Sequence, residues 1–176
     1  MTRNDTSDLH ATSQDECPEC GASILGGRAG CQALWDKISA RAYGDSDYAA
    51  TRDLAFDTYC MQHLERYCRS AKSYAAHLTR LCCGLEYGGD PKIYAALQKW
   101  LNGTVAVEKP AAPSHRGRMS IADLRAADHA EEHTRLVHDW AQSVWAAYKV
   151  QHDIARTWIR AALSAQEMEK TKRTAG

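Results

Sequence analysis

The residues best able to do chemistry stand near the start of the chain, in Cys17-Pro18-Glu19-Cys20-Gly21 and the later Cys31. Two thiolates separated by two residues can chelate one ion, and the glycine relieves crowding where backbone amides approach the sulfurs. Cys31 follows at the mouth of an expected helix, where the N-terminal dipole favours thiolate, and is the natural third ligand. No histidine lies between Cys20 and Cys31. A fourth ligand must therefore come from the helical body or from water. The competing readings are a redox dithiol and an incidental pair. No thioredoxin-like βαβ pattern surrounds the motif, which weakens the redox reading.

A second constellation is made of histidines. His63, His77 and His152 each fall on the apolar stripe of a different expected helix. His63 follows Phe56 and Tyr59 at helical spacing, His77 lies between Tyr74 and Leu81, and His152 lies between Tyr148 and Ile159. Stripes of packed helices face one another, so three inward imidazoles could meet at one point, as metal sites in helix bundles do. Three histidines would hold a divalent ion and leave a position open for water or substrate. The alternative is that each is a core histidine satisfied by a neighbour such as Tyr59 or Tyr148.

Other candidates carry less. His129 and His133 share a helix face, but in the polar run H-A-E-E-H they read as solvated. Cys82-Cys83 cannot easily chelate one ion from successive helix positions, and core packing with Cys82 inward is expected. Asp53 and Asp57 are one turn apart and could support a histidine or a metal, or be surface helix charges. Trp140, Trp145 and Trp158 have few interleaved cations and read as core. No Gly-rich phosphate loop and no serine nucleophile elbow is present.

The elements that must position these residues are helical. A polar leader is expected over 1–16, a Cys-rich loop over 17–31, and a helical bundle over 32–168. From Cys31 a helical pattern runs through Leu34, Trp35, Ile38 and Ala42 to Gly44. A second helix is expected from Ser46 to about Tyr67, and a third from a Ser70 cap to Gly88-Gly89. Asp90-Pro91, an N-cap followed by proline at the first helical position, opens a fourth that ends at Asn102-Gly103. A linker spans 104–119. Ser120 with Asp123 reads as a capping box for a short helix, and Asp128 with Glu131 as another. The latter would open one long helix to about Met168, followed by a frayed tail over 169–176.

Composition agrees with an all-α reading. The chain has 176 residues, the length of one ordinary domain. It contains 29 Ala against 11 Val plus Ile, so helix formers dominate and a β-sandwich or large parallel sheet is excluded. Lys plus Arg and Asp plus Glu are equal at 22 each, which argues against a dedicated nucleic-acid binder. The first sixteen residues have no apolar core of a signal peptide, and no run is long enough to span a bilayer. An odd set of 7 Cys without an export signal suggests reduced thiols in a cytoplasmic protein.

Taken together, these stretches resemble a family of bacterial proteins grouped as a domain of unknown function. The resemblance rests on Cys17 to Ala22 as C-P-x-C-G-A, on Cys31 before a helix, and on Asp57-x-Tyr59-x-x-Gln62-His63. It continues through Ser73 to Leu78 as S-x-x-x-H-L, Trp140 to Trp145 as W-A-x-x-V-W, and His152. Here Leu64 replaces a proline common after Q-H, and Gln151-His152 replaces a histidine pair. The resemblance implies a zinc-binding helical protein and brings no established activity. The three-histidine arrangement is also similar, at the level of fold, to the DinB-like bundle of metal-dependent thiol transferases.

The expectation is an all-α helical bundle with a Cys-rich N-terminal metal-binding loop. Its candidate ligands are Cys17, Cys20, Cys31, His63, His77 and His152, and its cofactor is zinc or another divalent transition metal. The expected role is binding or regulation, with a small molecule or protein as partner rather than nucleic acid or membrane. The alternative is a metal-dependent enzyme, a hydrolase or thiol-transferase-like protein, built on the three histidines. In it Gln62, Tyr59 or Asp57 would orient groups nearby. A thiol redox protein using Cys17 and Cys20 is the third reading.

Overall fold

The computed structural model describes residues 15–174, and the expected leader up to residue 14 lies outside them. The described chain is all-α. Its helices are α1 (Gly27–Gly44), α2 (Ser46–Ala49), α3 (Arg52–Gln62), α4 (Leu64–Tyr67), α5 (Ala71–Glu86), α6 (Pro91–Asn102), α7 (Ala130–Ala147) and α8 (His152–Thr174). Two 3-10 turns, Ile121–Ala126 and Lys149–Gln151, join them. Among the described residues the strand-like pairing is one isolated antiparallel bridge, Glu16 to Ser23.

Local chemistry explains several boundaries. Ser70 caps α5 in a reciprocal box with Ser73, and Asp90 caps α6 with Pro91 in the first turn. Ser120 and Asp123 form the expected box on a 3-10 turn. The cap of α7 falls on His129, whose side chain accepts the Glu132 amide, one residue later than the Asp128 expected. The expected tail is helical through Thr174.

Two expected helices are broken. The segment 46–67 is three helices, interrupted at Thr51 and at His63, whose backbone leaves the helical region at φ −118°, ψ 60°. The segment after residue 129 divides at Tyr148–Gln151. There Tyr148 Oη donates to the Met61 carbonyl, Tyr74 Oη donates to Gln151 Oε1, and Gln151 Nε2 donates to the Ala111 carbonyl. These bonds, two of them buried, turn the chain so that α8 returns along α5 and α6 instead of continuing α7.

α5 lies at the centre of the bundle, against α3, α6, α7 and α8. Its stripe of Tyr74, Leu78, Leu81 and Cys82 is fully buried. Trp140 and Val144 of α7 and Ile159 of α8 close the same core. The segment 104–119 is no free linker. It is fastened by Lys109 Nζ donating to the Cys68 carbonyl, by Gln151, and by Gln62. Gly117, at φ +107°, brings it against the α7 backbone, where a Cβ would stand 3.1 Å from Val144.

Candidate metal centre

The N-terminal knuckle is a tight turn closed by its own backbone. Cys17 N–H donates to the Ala22 carbonyl and Gly21 N–H to the Cys17 carbonyl. Gly21 sits at φ +72°, a conformation that side-chain-bearing residues rarely adopt. The chain then turns into α1, which carries Cys31 about one turn from its start. Gly30 lets the knuckle fold back on α1, because a Cβ there would overlap the Leu25 carbonyl oxygen.

The fourth donor comes from the break between α3 and α4. His63 Nδ1 hydrogen-bonds the Tyr59 carbonyl at 2.8 Å. A carbonyl can only accept, so Nδ1 carries the proton and Nε2 keeps its lone pair. That Nε2 lies 3.3 Å from Cys31 Sγ and 3.7 Å from Cys17 Sγ. Cys20 Sγ lies 3.7 Å from Cys31 Sγ. The ligand atoms of Cys17, Cys20, Cys31 and His63 all fall within 4.8 Å of one another. A tetrahedral zinc with bonds of about 2.3 Å to sulfur and about 2.0 Å to nitrogen has ligand–ligand edges of about 3.5–3.8 Å. Three of the separations, at 3.3–3.7 Å, lie close to those edges, the whole set falls within 4.8 Å, and all seven cysteines are free thiols.

The surroundings hold this set in place. The Tyr59 ring stacks on His63 at 3.9 Å and on Trp35 at 4.6 Å. Buried Glu19, inside the knuckle, accepts from Arg28, from the Glu65 amide and from Arg116. Arg116 also donates to the Gln62 carbonyl at 2.8 Å, so one guanidinium joins the knuckle, the end of α3 and the segment 104–119. Without a metal, burial pushes the Cys17 thiol up, and the hydrogen bond with Cys31, aided by burial, pushes Cys20 to about 12. A divalent ion held by these residues would replace those protons, which would couple metal uptake to proton release.

The three histidines do not meet. His63 joins the cysteines. His77 hydrogen-bonds Asp57 Oδ1 at 2.9 Å, and Arg80 Nε reaches both Asp57 oxygens at 3.1 and 3.0 Å. Asp57, fully buried, thus supports a histidine, one of the roles open to it from sequence. Burial raises its pKa, against the hydrogen bond from His77 and the charge of Arg80. His152 opens α8, stacks on Trp145 at 3.8 Å, and bonds the Trp145 carbonyl through Nε2 at 2.8 Å. An apolar stripe therefore fixes neither depth nor height along the bundle, and His77 and His152 are only partly buried. His133, expected in solvent, is buried against Tyr48.

Sequence reasoning did not assign His63 to the cysteine site, and it missed Arg116 altogether. The missing fourth ligand was the one available signal for His63. Nothing local marks Arg116, whose partners are 54 and 97 residues away.

The chain belongs to a family of unknown function (DUF5946), whose model matches residues 15–149 and so spans all four donors. No curated protein and no solved structure matches it.

Proposed function

We propose that this chain is a zinc protein in which Cys17, Cys20, Cys31 and His63 hold one structural ion that staples the knuckle to the helical body. The observation that carries the reading is the donor set itself: three sulfurs and one oriented imidazole, all within 4.8 Å of one another. Soft thiolates with one imidazole select zinc over harder divalent ions. Four protein donors close the coordination sphere, which is the pattern of structural rather than catalytic zinc. The protein then acts through binding or regulation, with a protein or small molecule as partner. Balanced charge disfavours nucleic acid. Among the described residues no helix is long and apolar enough to cross a membrane, and the seven free thiols suit the reducing cytoplasm. The enzyme reading loses its three-histidine centre, because His77 and His152 are bonded elsewhere.

Metal analysis of single variants tests this. His63→Ala should lose the bound zinc, as should the Cys17→Ser, Cys20→Ser double variant. His77→Ala and His152→Ala should retain it. Full zinc in the His63 variant would sink the assignment of the fourth ligand.

A further inference from the structure

We propose that Cys20 and Cys31 form a reversible, peroxide-sensitive disulfide that dismantles the metal centre, an inference that rests on the zinc reading above. The four donors differ in exposure. Cys17, Cys31 and His63 are 1%, 0% and 3% exposed, whereas Cys20 is only partly buried. Of the four residues, Cys20 is therefore the one most open to solvent and to a small oxidant in it. Its Sγ lies 3.7 Å from that of Cys31. A disulfide requires about 2.05 Å, so closure needs only about 1.7 Å of approach. Cys20 belongs to the short knuckle turn, while Cys31 is fixed in α1. Cys17 is 1% exposed, and its backbone N–H and carbonyl are both bonded inside the knuckle. Cys60, Cys68, Cys82 and Cys83 are 0% exposed and out of reach.

The chemistry balances with a hydroperoxide as oxidant. The Cys20 thiolate attacks a peroxide oxygen, the O–O bond breaks, and the departing hydroxide takes a proton to become water. The Cys31 thiolate then attacks the Cys20 sulfur of the resulting sulfenic acid. The S–S bond forms, the S–O bond breaks, and a second hydroxide leaves and is protonated. Two thiolates lose two electrons, and hydrogen peroxide with two protons becomes two waters. Two of the four donors are withdrawn, and Cys17 with His63 cannot by themselves complete a tetrahedral site. Reduction by a dithiol reverses the exchange and restores the donor set.

The test uses the full chain, purified reduced and without oxygen, with its zinc content measured first. Hydrogen peroxide is then added, zinc release is followed with a chromophoric chelator, and cysteine states are mapped by mass spectrometry of the digest. Release of the bound zinc in step with a Cys20–Cys31 disulfide, with the four core thiols still reduced and both changes reversed by dithiothreitol, is the expected result. Zinc retained with every thiol reduced overturns the switch, as does release accompanied by a Cys17–Cys20 bond or by no disulfide. A chain that holds no zinc before peroxide is added overturns the zinc reading instead, so the two failures are read at different steps.

Discussion

Gln62 stands beside His63 and uses its whole amide. Nε2 donates to the Arg116 and Met119 carbonyls, both at 2.8 Å, and Oε1 accepts from Trp140 Nε1 at 2.9 Å. Truncation at this buried position leaves a backbone segment and an indole without partners. Each unsatisfied group costs about 1–3 kcal/mol. Gln62→Ala should therefore lower stability by about 3 kcal/mol or more in urea titration, and Gln62→Glu should not rescue it, because a carboxylate cannot donate to two carbonyls. Asp57 presents a different case. Its carboxylate is 0% exposed between His77 and Arg80, and removing it leaves two partly exposed partners without their acceptor, a cost of about 1–3 kcal/mol. Asp57→Ala should lower the melting temperature and leave zinc stoichiometry unchanged, which separates a structural cluster from a metal centre. Loss of zinc in that variant would contradict the separation of the two sites.

Among the elements, the knuckle and the segment 104–119 depend on two close approaches made possible by glycine. Gly30→Ala places a methyl group against the Leu25 carbonyl. Since backbone cannot retreat as a side-chain tip can, the knuckle must move away from α1, and Cys20 with it. Zinc affinity should fall by at least tenfold in competition with a chelator, while helical circular dichroism changes little. Gly117→Ala acts on the other side of the site, where φ +107° and the Val144 backbone both resist a Cβ. It should cost about 1–3 kcal/mol through backbone strain. It should also increase hydrogen exchange in 104–119, including around Arg116. The same exchange should rise when zinc is removed from the native chain, because Arg116 bonds both Glu19 in the knuckle and the Gln62 carbonyl. Exchange in that segment indifferent to zinc would show that the knuckle and the segment 104–119 are not linked through Arg116.

For the molecule as a whole, the core contains thiols that must remain protonated. Burial pushes Cys68 and Cys82 up to about 12 from an ordinary value of 9.0, and Cys83 to about 11. Between those limits the folded chain binds more protons than the unfolded chain. Stability supplied by these groups is fully present below about pH 9 and is lost as pH rises through the folded values. Thermal unfolding of zinc-loaded protein should thus show a falling alkaline limb above about pH 9. Triple replacement of Cys68, Cys82 and Cys83 by alanine should flatten that limb while lowering stability at neutral pH. A limb of unchanged steepness would assign it to Cys60, which burial also pushes up, and to the buried tyrosines, among which Tyr74 is pushed up to about 12.

What the sequence determined by itself was local. Alanine excess and the scarcity of β-branched residues dictate helix, and Ser70, Asp90-Pro91 and Ser120 with Asp123 set helix starts through bonds spanning three residues or fewer. The C-x-x-C of Cys17 and Cys20, with Gly21 in the left-handed region, is likewise a local design that spacing reveals. The tertiary structure decided which residues meet across long separations. Periodicity gives the direction of His63, His77 and His152 around a helix axis, and the breaks at His63 and at Tyr148–Gln151 decide where along the bundle each one arrives. Those breaks are held by Met61, Ala111 and Tyr59 carbonyls that attract a distant hydroxyl, a distant amide and a nearby imidazole. His63 reaches Cys17 across 46 residues for the same reason that His77 and His152 do not. The chain pays the entropy of that long loop only when the whole bundle forms, so no short stretch of sequence could announce it.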